Sequence, residues 1–399
     1  MAPAPVPVYL DFAATAAIRP RPVIAAVTEY LETIGATPGR GGHRLAIAAE
    51  RVALECRQAL ARLLGLPGDT ARIAWTLNAT HAINTALDGT LRGGDVLVVT
   101  AFDHNAVLRC AHRLVRERGI EVRLVPGHPD GTLDEAALDR ALDGARLLSV
   151  NGASNVLGTT LDPGALARKA HGAGALVIVD TAQVAGELPF DAAACGADFV
   201  AVTGHKALLG PQGVGALWVR DGIELAPLLV GGTGGDSLQR EMPDDWPDHL
   251  QAGTVNAPGI AGLLAGARWV ADRTVERIRA EAAAHKVRLR DGLAAVPAVR
   301  VVSPAAPDGA PIVTITAERT DPAALAGTLD CEFGVLARPG LHCAPETHRL
   351  IGTDRTGALR FSLGWATTGD DVDRAIDAVA RALARPVFSG IGAREDDDR

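Results

Sequence analysis

The sequence predicts an α/β protein: a large domain built on a mostly parallel sheet, with a smaller α+β domain beside it. Three observations carry this. Between residues 45 and 220, short β-branched apolar runs alternate with longer Ala/Leu/Arg segments of helical period, the pattern of strands separated by crossover helices. A chain of 399 residues is long for a single core. Past a Gly-, Pro- and acid-rich stretch at 231–259 the pattern changes to strands and helices in mixed order.

In chain order, the apolar runs predict strands at 72–76, 95–100, 121–125, 146–151, 175–180, 198–203 and 215–219. Helical period fills the gaps at 48–64, 81–91, 106–117, 134–143 and 164–171. The stretch 231–259 reads as long loops, followed by one helical segment over 260–293. Strands at 300–302, 312–316, 335–338 and 358–363, with helices at 322–332 and 370–383, form the second region. The expected division is a large domain at 20–262 and a small one at 1–19 plus 263–390. Residues 391–399 end in the charge run Glu395-Asp396-Asp397-Asp398-Arg399 and read as a disordered acidic tail.

Composition narrows the function. Apolar residues make up 48% and charged residues 22%, as in an ordinary globular protein. A net charge of -8 argues against a general nucleic-acid or anionic-membrane surface. The start, Met1-Ala2-Pro3-Ala4-Pro5, has neither a basic region nor a long apolar run, so no secretory signal is expected. No stretch has the length and apolarity of a membrane span. Five scattered cysteines do not make a disulfide framework, and the expected location is a reducing cytoplasm.

The informative polar residues fall where strands end, and in parallel sheets ligands bind at the carboxyl ends of strands. One strand ends on Asp180, in Val177-Ile178-Val179-Asp180-Thr181-Ala182-Gln183. The next leads into Thr203-Gly204-His205-Lys206. A lysine that can form a Schiff base and a carboxylate that can hold a ring nitrogen protonated are what a pyridoxal 5'-phosphate (PLP) enzyme requires. Taken singly, Lys206 reads as a surface lysine and Asp180 as a strand-terminal turn residue. Asn78-Ala79-Thr80 opens a helix, either as a plain N-cap or as an anion site with free N–H groups. His104 and Asn155 also follow strands, and each reads alternatively as a loop residue. Cys343 lies on a Pro/Gly loop beside His342 and five residues after Arg338, where nearby positive charge favours a thiolate. The other cysteines sit in helical or apolar settings and read as inert. A zinc reading of His342, Cys343 and His348 matches no usual ligand spacing, and no metal is expected.

Together these segments resemble the class-V aminotransferase family, most closely its cysteine desulfurase and selenocysteine lyase branch. The resemblance runs from Tyr9-Leu10-Asp11-Phe12-Ala13-Ala14 to Asp370-Asp371-Val372-Asp373. It implies PLP-dependent fold type I, like aspartate aminotransferase. By position it makes Lys206 the Schiff-base lysine and Asp180 the partner of the pyridine nitrogen. Thr203, His205, Ala79 and Thr80 become phosphate contacts, and Gln183 and Asn155 contacts to the ring hydroxyl. His104 becomes the stacking and acid/base histidine. Arg360, in Ala358-Leu359-Arg360-Phe361, becomes the clamp on the substrate carboxylate, with Asn155 and Arg338 nearby. Thr254, in Gln251-Ala252-Gly253-Thr254, becomes a contact to the cofactor phosphate of a second subunit, which implies a homodimer. The segment Arg338-Pro339-Gly340-Leu341-His342-Cys343-Ala344 matches the desulfurase pattern and makes Cys343 the persulfide-forming nucleophile.

The implied activity is conversion of L-cysteine to L-alanine, with sulfur left on Cys343 for a sulfur-acceptor protein. Other activities on the same fold are a selenocysteine lyase acting on L-selenocysteine, a C–S lyase, and an aminotransferase or epimerase. A PLP-binding scaffold in a sulfur relay is the alternative outside catalysis.

Overall fold

The computed structural model describes residues 7–39, 41–66, 68, 70–235 and 238–384. The expected acidic tail and residues 385–390 of the expected small domain lie outside them, as do residues 1–6. In chain order the strands are β1 (Val8–Tyr9), β2 (Ile73–Thr76), β3 (Val96–Thr100), β4 (Glu121–Val125), β5 (Leu147–Asn151), β6 (Leu176–Asp180), β7 (Phe199–Thr203) and β8 (Gly215–Val219). They continue with β9 (Val299–Val301), β10 (Ile312–Ala317), β11 (Val335–Leu336), β12 (Arg338–Gly340) and β13 (Ala358–Ser362).

The strands β2 to β8 form one sheet in the order β2-β8-β7-β6-β5-β3-β4. Its pairs are parallel except the two made by β8, which runs against both β2 and β7. All seven strands expected from the sequence are present, five of them starting one residue later than expected. The interior strands β3, β5 and β7 are buried at every residue because helices cover both faces. Period-two alternation sorts their side chains. Val98, Val150, Val179 and Val200 pack on one face with Leu60 of the helix Arg44–Leu63 and Leu263 of the helix Ala257–Arg273. Leu97, Val99, Ile178 and Ala201 pack on the other with Ile83, Leu87 and Val107.

The second region carries an antiparallel sheet, β12-β13-β10-β9, and a short parallel pair, β1-β11. Leu10, Leu289, Val313, Leu329, Phe361 and Val372 form its core. Here the sequence reading needs two corrections. The helical segment expected over 260–293 is two helices, Ala257–Arg273 and Val275–Ala294. The break is at Thr274, whose φ of 66° leaves the helical region and whose hydroxyl accepts the Arg277 N–H at 3.3 Å as the cap of the second helix. The strand expected over 335–338 changes partner at Ala337. Residues before it pair with β1 and those after it pair with β13. The helices Arg21–Glu29 and Pro345–Leu350 were not foreseen.

Asn151, Asp180 and Thr203 are the last residues of β5, β6 and β7, and Thr100 ends β3. Because these strands are parallel, the four line one edge of the sheet. The loop after β7 is closed by hydrogen bonds from Gly204 N–H to Val214 O (2.9 Å), Leu209 N–H to Lys206 O (2.8 Å) and Gly210 N–H to Gly204 O (2.8 Å). The helix Ala257–Arg273 presses on this loop through Gly266. A Cβ at that position would lie 2.2 Å from the Leu208 carbonyl oxygen, which is backbone and cannot rotate away. Gly266→Ala is therefore expected to destabilise the protein by about 1–3 kcal/mol. Chemical denaturation checks this, and an unchanged midpoint would show slack between helix and loop.

Candidate active site

The sheet edge opens into a cavity of about 230 Å³ between the two regions. The large region contributes Ala79, Thr80, His104, Asn155, Asp180, Gln183, Thr203, His205 and Lys206, and the small one contributes Arg338, His342, Cys343 and Arg360. Every candidate site residue except Thr254 therefore lines one cleft. Thr254 is exposed and lies outside it. Its loop is anchored to the sheet by Gln251, whose Oε1 accepts the Trp75 N–H (2.7 Å) and the Arg57 guanidinium (3.2 Å).

Lys206 is half-buried and borders the cavity on the loop after β7. Burial pushes the amine down to about 8. Asp180 opposes that shift, while Arg360 and Arg338 add to it. Asp180 is buried, and its carboxyl is raised by burial against the Ala182 N–H it accepts (2.9 Å) and the nearby Lys206. The Thr203 hydroxyl and the Asn155 Oδ1 are buried without a partner. Groups of this kind call for hydrogen bonds from something bound in the cleft. Gln183 lines the cleft while its amide donates to Ala13 O (3.0 Å). Asn78 caps the helix Ala79–Thr90 by accepting the His81 N–H (3.0 Å). The N-cap reading of Asn78 is therefore the one seen, and the N–H groups of Ala79 and Thr80 at that first turn have no partner within the helix.

Four buried or half-buried histidines surround the site, and burial is the first cause of every shift. His104 and His205 are pushed down to about 4, in each case with help from Lys206. His342 falls to about 3 and His348 to about 4, each with help from Arg360. His104 accepts the Ala106 N–H at Nδ1 (3.0 Å), so the neutral ring carries its proton on Nε2. The Thr15 hydroxyl lies 3.1 Å from His205 Nδ1. Beneath His104, Asp103 accepts from the Thr100 N–H (2.6 Å) and the Ser149 hydroxyl (2.8 Å), and burial raises its carboxyl to about 7.

Arg360 is only 2% exposed, and part of its fork is already used. It donates to Asp11 Oδ1 (2.8 Å) and to Asn155 O (3.0 Å), and its Nε is unpartnered. Asp11 was missed in the sequence because it lies 349 residues from its partner. Cys343 is exposed. It and His342 both have left-handed backbones (φ 58° and 49°), a conformation that costs on the order of 1–3 kcal/mol per non-glycine residue. The zinc reading fails on geometry, because both ring nitrogens of His342 and of His348 already have protein partners.

The four neutral rings make stability depend on pH, and the sign follows from proton counts. An unfolded histidine takes up its proton near pH 6.5, whereas these do so only near 3 to 4 when folded. Between those values the unfolded chain binds more protons, so stability falls as the pH falls. The expected outcome is a melting midpoint lower by about 5 °C or more at pH 4.5 than at 6.5. A flat midpoint in calorimetry over that window would show that the rings are not held neutral.

The chain is similar in sequence and in fold to known proteins. The chain matches the family described as "Aminotransferase class-V" over residues 8–375. It is 34% identical over 377 residues to a probable cysteine desulfurase from Methanothermobacter thermautotrophicus, with 92% of each chain covered. It is 30% identical over 392 residues to a cysteine desulfurase from Haloferax volcanii, covering 96% of this chain and 90% of the relative. Among solved structures, the apo cysteine desulfurase of Thermococcus onnurineus superposes with a TM-score of 0.88 at 29% identity, over 94% of each chain. An Escherichia coli cysteine desulfurase gives 0.86 at 29% identity, also over 94% of each chain. The half-buried Lys206 and buried Asp180 on one cleft, the orphaned Thr203 and Asn155 oxygens and the helix-start N–H groups of Ala79 and Thr80 fit the PLP on which this family depends. The chain belongs to the class-V aminotransferase family and has the PLP-dependent type I fold.

Proposed function

We propose that the protein is a PLP-dependent cysteine desulfurase that converts L-cysteine to L-alanine and leaves the sulfur as a persulfide on Cys343. The observation that carries this is the opening of Cys343 onto the same cleft as Lys206 and Arg360. The relatives bear the same activity in their names. Bound PLP supplies an electron sink for charge that develops on the substrate carbon.

The residues divide the remaining work. Arg360 binds the substrate carboxylate through its free Nε and the fork held by Asp11, with Arg338 adding positive charge. Lys206, with an amine near neutrality, takes the proton from Cα. Asp180 keeps the cofactor's ring nitrogen protonated. Thr203, His205 and the N–H groups of Ala79 and Thr80 hold the phosphate, while Asn155 and Gln183 hold the ring hydroxyl. The Cys343 thiolate attacks the substrate sulfur. An S–S bond forms, the Cβ–S bond breaks, and its electron pair stays on Cβ and is protonated. The balance is cysteine plus Cys343 thiol giving alanine plus Cys343 persulfide, with no external oxidant. His104 would lie against the bound cofactor ring, and its Nε2 would exchange protons there because Nδ1 is tied to Ala106.

The subunit works as a homodimer in the cytoplasm, with Thr254 completing the phosphate site of its partner, and a sulfur-acceptor protein collects the product. Exposure of Thr254 outside its own cleft, on an anchored loop, supports the first of these. Among the described residues no helix is long and apolar enough to cross a membrane. Light scattering is expected to give a dimer at assay concentration. A fully active, PLP-saturated monomer would overturn the role given to Thr254.

The activity itself is tested at two positions. Lys206→Ala is expected to remove the visible absorption of bound PLP and to abolish turnover. Cys343→Ser is expected to keep that absorption and to lose alanine release by on the order of 100-fold or more. Wild-type protein given L-cysteine and then alkylated should carry one extra sulfur on the Cys343 peptide by mass spectrometry. Alanine release by the serine variant at the wild-type rate would replace the desulfurase reading with a lyase or transaminase.

A further inference from the structure

The turn that presents Cys343 is held by a chain of hydrogen bonds whose direction can be worked out. His342 Nε2 lies 2.9 Å from the Arg338 carbonyl oxygen. A carbonyl only accepts, so this nitrogen carries the proton. In a neutral ring Nδ1 then offers a lone pair. It lies 3.1 Å from His348 Nε2, which must be the donor. The other nitrogen of His348 is therefore an acceptor, and it lies 2.7 Å from the Thr353 hydroxyl, which donates to it. The chain runs in one direction only: Thr353 to His348 to His342 to the Arg338 carbonyl. Burial keeps both rings neutral, which is what this direction needs. His348 and Thr353 are buried and His342 is 5% exposed, so water does not compete for these bonds.

The same turn is fastened from its other side. Asn155 Nδ2 donates to the His342 carbonyl and the Asn105 N–H to the Cys343 carbonyl (2.5 and 2.7 Å). One side-chain amide and one backbone N–H hold the two consecutive carbonyls, and the imidazole chain holds the His342 side chain between them. Neither His348 nor Thr353 is among the residues lining the cleft.

We propose that His348 and Thr353 are positioning residues for the sulfur-transfer step. Acting through His342, they hold the left-handed pair His342-Cys343 in the one conformation that aims the thiol at the substrate. This rests on the desulfurase reading of Cys343. It separates the residues that bind cofactor and substrate from a distinct pair that sets only the attack geometry of the nucleophile.

The test removes single hydrogen bonds at nearly constant shape in the holoenzyme. Thr353→Val deletes the terminal donor, and Thr353→Ser keeps it. His348→Leu deletes the donor to His342, and His348→Gln keeps an N–H at the matching position. The deleting variants are expected to form the Cys343 persulfide about tenfold more slowly, the size of one lost buried hydrogen bond. Their KM for L-cysteine and the absorption of bound PLP should be unchanged, and the serine and glutamine variants should stay within about threefold of wild type. The proposal is overturned if Thr353→Val makes persulfide at the wild-type rate. It is equally overturned if Thr353→Ser and Thr353→Val lose activity alike in proportion to their melting midpoints, which marks general packing.

A second readout separates this proposal from the activity assigned above. The rate of Cys343 alkylation by iodoacetamide, without L-cysteine, reports how the turn presents the thiol. It should change several-fold in Thr353→Val and not in Thr353→Ser, even if wild type formed no persulfide. Equal alkylation rates in all variants would overturn the positioning role while leaving the desulfurase reading intact.

Discussion

A single buried cation organises the cleft. Arg360 stands on β13 and reaches the carboxylate of Asp11 in the amino-terminal segment and the carbonyl of Asn155 beyond β5. Three stretches far apart in sequence are joined by one guanidinium. Its charge also reaches outward, helping to lower the proton affinity of Lys206, His104, His342 and His348. A charge this deep needs a close counter-charge, and removing Asp11 would leave it uncompensated at a cost of roughly 3–5 kcal/mol. The fold thus keeps a carboxylate partner beside a group whose proposed work is to bind another carboxylate. The substrate meets a preassembled fork rather than a free side chain, so little rotamer entropy is lost on binding.

The protonation pattern follows from the same arrangement. Burial next to fixed positive charge lowers the proton affinity of the amine and the imidazoles together. Neutral imidazoles beside the fixed charge of Arg360 and Arg338 suit a ligand that brings its own negative charges. Asp180 behaves in the opposite way. Its burial costs the carboxylate, and the loss is offset by Lys206 and by the Ala182 N–H. Lysine and aspartate therefore oppose each other's shifts, Asp180 favouring the charged amine and Lys206 the ionised carboxylate.

Much of this was legible in the chain because it is local. Apolar runs of five residues ending on Asp180, Asn151 or Thr203 announce both the strand and the polar edge at its end. The glycines around Lys206 announce a tight loop. The Asn78 cap was readable for the same reason. What stayed hidden depends on pairing across distance or on backbone that no residue type signals. Asp11 and Arg360 meet only after the second sheet has formed. Thr274 breaks a helix without glycine or proline, and its only local mark is a threonine cap with Glu276 in the following turn. The change of partner at Ala337 turns on which strand is adjacent, and three apolar residues ending on Arg338 cannot say that. His348 was noticed only as a metal ligand, since its real partner is another imidazole.

The pairing of β12 with β13 has a consequence for how this protein can vary. Arg338 faces Arg360 and Gly340 faces Ala358 across that ladder, so the segment bearing Cys343 is a loop whose two ends are already stapled. The entropy of closing such a loop rises only with the logarithm of its length, about 0.6 kcal/mol per doubling. Residues 354–356 are exposed and follow the last member of the imidazole chain. Insertions there would lengthen the loop at little entropic cost where they preserve the Gly357 N–H to Thr353 O bond (2.7 Å) that spans them. One loop therefore holds a stretch where length is nearly free beside a stretch where a single hydroxyl matters. Lineages can remodel the outer stretch without relearning how to hold the thiol.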